Sequence, residues 1–85
     1  MSEMRDTTKE LRAELDKSVA LLRTLRDEIR VKAHLAGMSA KDQWRDLEPR
    51  LEAAVEQAAK DVSEASKKAV ADATEALKKF RSSIS

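Results

Sequence analysis

The 85-residue chain is 39% charged and 41% hydrophobic, and Trp44 and Phe80 are its two aromatic residues. Seventeen Lys/Arg against sixteen Asp/Glu leave a formal net charge of +1, which argues against the strongly basic stripe of a nucleic-acid binder. No cysteine is present, so disulfide frameworks and thiolate chemistry are excluded, and one glycine with one proline gives little punctuation for short strands.

Eighty-five residues make one small domain at most. A chain rich in Ala, Glu, Lys, Leu and Arg points to long helices. Residues 1–38 hold 8 Lys/Arg and 7 Asp/Glu, and residues 39–85 hold 9 and 9, so neither half is a charged tail. The opening Met-Ser-Glu-Met-Arg-Asp lacks an apolar signal core, and no apolar run approaches membrane-spanning length. A soluble cytoplasmic protein is the expectation.

Residues 4–36 follow a heptad seam. Met4, Thr8, Leu11, Leu15, Ser18, Leu22, Leu25, Ile29, Lys32 and Ala36 recur at alternating steps of four and three, which places them on one helix face. Val19, Leu21, Ala33 and Leu35 widen that face, more than a bare two-stranded coil requires. Next comes a turn at 37–39. Gly37 suits a left-handed helix end, and Met38 is expected to pack back on the last helical turn. Ser39 reads as an N-cap, and Asp42 completes a weak capping box.

Residues 40–80 read as a second helix with the seam Trp44, Leu47, Leu51, Val55, Ala58, Val62, Ala65, Ala69, Ala73, Ala76 and Phe80. Steps of four follow one another around Leu51 and around Ala69, so this heptad is less regular. Pro49 interrupts it, because the ring clashes with the carbonyl of Arg45 and removes a hydrogen bond. A kink is the preferred reading. A true break at Pro49 is the other. Residues 81–85 are expected to fray.

The two seams pair antiparallel about the turn: Ile29 with Leu47, Leu25 with Leu51, Leu22 with Val55 and Ser18 with Ala58. The fold expected is therefore all-α: an antiparallel two-helix hairpin (helix 4–36, turn 37–39, helix 40–80 kinked at Pro49). One seam buries too little surface for a small domain to stand alone. The second helix also overshoots the first, leaving Leu77, Phe80 and Ile84 without an intrachain partner. With Leu21 and Leu35, these form the expected self-association surface. Two hairpins side by side would make a four-helix bundle.

Candidate chemistry is sparse. His34, the one histidine, has no carboxylate three or four residues away for a shared metal. The row Glu48, Glu52 and Glu56 lacks the cleft that acid–base catalysis needs, and is expected to be a solvated face paired with Arg23, Arg26 and Arg30 of the first helix. No phosphate loop or nucleophile elbow occurs. No catalytic residue, cofactor or metal is assigned, and the reading is that the chain is not an enzyme. Trp44 is read as core.

Two resemblances follow from stretches of the chain. Residues 25–49 (LRDEIRVKAHLAGMSAKDQWRDLEP) resemble a segment of small bacterial helical proteins that opens a second helix with Lys-Asp-x-Trp, here Lys41, Asp42 and Trp44. This implies a helical hairpin and a bacterial origin, with no activity attached. Residues 53–80 are similar in composition to phasins, apolipoproteins and late-embryogenesis proteins, which implies contact with lipid or granule surfaces. Alanine dominates the stretch, and it offers little area to bury in lipid. The expected function is a coiled-coil interaction module that forms a homodimer or higher homo-oligomer and presents charged outer faces to a protein partner. A lipid- or granule-surface protein is the alternative, and a weak nucleic-acid-associated protein stands third.

Overall fold

The computed structural model describes residues 2–84, with side chains from Lys9 to Ile84. The seam positions Met4 and Thr8 therefore lie outside the described side chains. Three helices form an elongated bundle of 54 × 17 × 15 Å: α1 Ser2–Leu35, α2 Met38–Lys60 and α3 Glu64–Ile84. The all-helical expectation holds. The two-helix expectation does not, because the stretch read as one second helix is two helices that fold back on each other.

The break falls at 61–63, not at Pro49, which lies within a continuous α2. Asp61 turns extended at φ −137°, ψ 105°, while its N–H donates to the Gln57 carbonyl at 2.9 Å. Ser63 then starts α3. Its carbonyl accepts from the Lys67 N–H at 3.1 Å, and its Oγ accepts from the Ser66 N–H at 3.2 Å. A serine N-cap satisfies one of the helix's unpaired donors in this way. The Ser63 hydroxyl donates in turn to Asp61 Oδ2 at 2.9 Å, which fixes the linker. Glu64 adds an acidic residue at the positive end of α3.

The first turn also departs from expectation. Gly37 has φ 113° and ψ −179°, an extended conformation of positive φ that is open essentially to glycine alone. It is the N-cap of α2, and its carbonyl accepts from the Lys41 N–H at 3.1 Å. Ser39 and Asp42 thus lie inside α2, and the capping box they were expected to form is absent. Met38 is exposed and does not pack back on α1.

The core runs along all three helices. In α1, Leu15, Leu22 and Ile29 recur every seventh residue, joined by Ala33. In α2 the buried positions are Ala40, Trp44, Leu47, Leu51, Ala54 and Ala58. In α3 they are Ser66, Val70, Ala73, Leu77 and Phe80, with Ile84 packed against the end. Both of the later helices keep unbroken steps of four and three. Each fully buried leucine or isoleucine stabilises the fold by about 1.5–3 kcal/mol relative to exposure. At the end near Gly37, Trp44 packs on Phe80 with ring centroids 5.9 Å apart and planes tilted by 36°, within the range of favourable aromatic pairs.

The helix directions follow from contacts between helices. Asp16, Val19 and Arg23 line one cleft with Val55, Ala58 and Ala59, so α2 runs antiparallel to α1 as expected. Lys67 reaches Glu14, and Lys78 lines a cleft with Leu21 and Leu25, so α3 runs parallel to α1. Arg81–Ile84 continue α3, with the Ser83 hydroxyl donating to the Phe80 carbonyl at 2.8 Å, and Ser85 of the expected frayed tail lies outside the described residues. At 34 residues, α1 is longer than α2 at 23.

Candidate functional site: the outer face of α1 and the groove between α2 and α3

Among the five residues expected to mediate self-association, the structure separates two groups. Leu77 and Phe80 are buried in the chain's own core, and Ile84 packs at its end. The third helix supplies the intrachain partners that a two-helix reading could not see, so the unpaired overhang does not exist. Leu21 and Leu35 are 62% and 83% exposed, and Val31 and Met38 are 59% and 80% exposed.

These exposed residues are ordered. Leu21, Thr24, Glu28, Val31 and Leu35 follow steps of three, four, three and four along α1, a second heptad seam beside the one that builds the core. Val31 was missed in the sequence, because the eye follows the stronger inner seam. Its signal was the same spacing, shifted to the next face.

The second feature lies between α2 and α3, where no α1 residue contributes. Two open clefts of about 480 and 280 Å³ share Leu47, Arg50 and Ala76 and so form one groove. Leu47, Leu51 and Phe80 make its apolar floor, while Ala53, Ala69 and Ala76 keep its walls low. Arg50 stands at its middle, between Gln43 and Gln57 at the two ends on α2. Alanine at these positions follows from close α2–α3 packing, since small side chains let helix axes approach.

The electrostatics are those of an exposed surface. Lys67 Nζ donates to Glu14 Oε2 at 2.6 Å and ties α3 to α1. The hydrogen bond and charge of Lys67 hold the Glu14 carboxyl below the usual carboxylate range, and those of Glu14 raise the Lys67 ammonium above its ordinary value. The bridges expected between Arg23, Arg26 or Arg30 and the Glu48–Glu56 row do not form. Arg26 turns to the adjacent Asp27 at 3.4 Å, and Glu56 pairs with Lys60 at 3.4 Å along α2. His34 is exposed at the end of α1. Among the described residues, no group of three or more His, Cys, Asp or Glu is placed to hold a metal, and no helix is long and apolar enough to cross a membrane.

No family model, curated protein or solved structure matches the chain. The chain's own surface is thus the ground for a functional reading.

Proposed function

We propose that this protein is a non-enzymatic interaction module whose helical bundle associates with further copies of itself. The observation that carries the reading is the outer seam of α1, where Leu21, Val31 and Leu35 stand exposed at heptad spacing. Single exposed apolar residues are ordinary, but here Leu21, Val31 and Leu35 share one stripe of α1, with Thr24 and Glu28 between the first two. The side-by-side pairing of two-helix hairpins gives way to association between three-helix units, because α3 already covers the inner seams. The test is sedimentation velocity on the intact chain and on Leu35→Glu. Reversible association that Leu35→Glu weakens is expected. A wild-type chain that stays monomeric up to near-millimolar concentration would overturn the reading.

A lipid or granule surface is the second reading, favoured by the composition of the core. Among the described residues, five of the fourteen buried hydrophobic ones are alanine (Ala33, Ala40, Ala54, Ala58 and Ala73), so opening the bundle costs little apolar burial, and the same alanines give lipid little area in return. Flotation with anionic and neutral vesicles tests it: a protein that stays at the bottom with both rules it out.

A further inference from the structure

Resting on the self-association reading, we infer that the contact is head-to-tail: the outer seam of α1 in one copy lies in the α2–α3 groove of the next. Three features of the surface fit together.

The first is length. Leu35 lies fourteen steps beyond Leu21 on α1, and Gln57 lies fourteen steps beyond Gln43 on α2 along the groove. Each corresponds to about 21 Å of helix. The second is size. The seam offers large side chains, and the groove offers an apolar floor between alanine walls. A helix laid there makes the fourth member of a local four-helix bundle, the geometry in which such knobs and holes interlock.

The third is charge. Glu28 sits at the centre of the seam, and Arg50 at the centre of the groove. Both are exposed, and neither takes part in an ion pair among the described residues. With α1 antiparallel to the partner's α2, setting Glu28 beside Arg50 places Leu21 at the level of Gln57 and Leu35 at Gln43. The same register brings Lys32 level with Asp46. A symmetric α1–α1 contact centred on this seam would instead set Glu28 against Glu28, and like charges opposed at a contact weaken it. The seam and the groove lie on different faces, so the contact is heterologous, and copies add side by side into a ring or an open stack.

Mixing two broken chains tests this. The seam variant Leu21→Glu/Leu35→Glu keeps an intact groove, and the groove variant Ala53→Glu/Ala76→Glu keeps an intact seam. Each alone is expected to be monomeric with unchanged helicity, and the mixture to form a one-to-one dimer and nothing larger. A mixture that stays monomeric overturns the head-to-tail contact. So does either variant associating as the wild type does, while the broader module reading stands. A monomeric wild type removes both. Should a variant lose helicity, charge exchange at exposed positions decides the matter: Glu28→Arg and Arg50→Glu each weaken association, and the double variant recovers it. Failure of that recovery refutes the pairing.

Discussion

Leu77→Ala distinguishes a three-helix chain from a hairpin with a free overhang. In the structure Leu77 is fully buried among the three helices. Truncating a buried leucine removes its transfer energy and leaves a cavity, together about 2–5 kcal/mol. A chain of this size has a total stability of roughly 4–13 kcal/mol, from about 0.05–0.15 kcal/mol per residue. The substitution therefore removes a large share of it. At about 4–8 °C per kcal/mol for a domain of this size, Tm falls by roughly 8–40 °C. The assay is thermal unfolding followed by circular dichroism, with wild type and variant at matched micromolar concentrations. Leu21→Ala, at an exposed position, is the control and stays within about 0.5 kcal/mol of wild type. If Leu77→Ala also stayed within that margin, the burial of α3 against α1 and α2 would be refuted. A Tm difference that vanished on dilution would refute it too, because Leu77 would then be packing between copies.

Three further outcomes follow from local geometry. Gly37→Ala forces a side chain into a backbone region reserved for glycine; its Cβ meets no neighbour, so strain alone should cost about 1–3 kcal/mol in chemical denaturation. Ser63→Ala removes the cap of α3 and should cost about 0.5–2 kcal/mol, with Ser63→Gly less damaging; a neutral Ser63→Ala would mean the cap does not hold the break. The Glu14–Lys67 pair sets a pH dependence. The lowered Glu14 pKa means its contribution is present at neutral pH and lost as pH falls through the folded-state value, whereas the raised Lys67 pKa means its contribution is lost as pH rises past the lysine range. Denaturant midpoints across pH should show both losses in wild type and neither in Glu14→Gln/Lys67→Gln, with small amplitude because the pair is exposed.

Much of the fold was written plainly in the residues. Leu15, Leu22 and Ile29 are spaced by heptads of unmistakable apolar character, and they became the spine of α1. Gly37 marked the first reversal because no other residue tolerates its backbone. The second reversal lacked any such mark. Asp61-Val62-Ser63 contains no glycine or proline, and a serine cap in an alanine-rich run looks like an ordinary helical residue. One trace was legible: a continuous seam through Val62, Ala65, Ala69 and Ala73 needs two steps of four in a row. Starting a new helix at Glu64 removes the irregularity, and the buried set becomes Ser66, Val70, Ala73, Leu77 and Phe80. The reversal folds α3 back along α1 and α2, and that places Leu77 and Phe80 in the core rather than at an interface. Leu21 and Leu35 kept their place on the surface because they belong to α1, whose phase was read correctly. The groove was illegible for a simple reason: it exists only once α3 folds against α2.

The most direct measurement is sedimentation equilibrium from low micromolar to near-millimolar concentration, with helicity read by circular dichroism on the same samples. A core completed within one chain and an association surface outside it require two results together: mass rises with concentration, and helicity stays constant at every mass. Helicity that falls as the mass approaches that of one chain would contradict the closed three-helix core. A mass fixed at one chain throughout would contradict the interaction module.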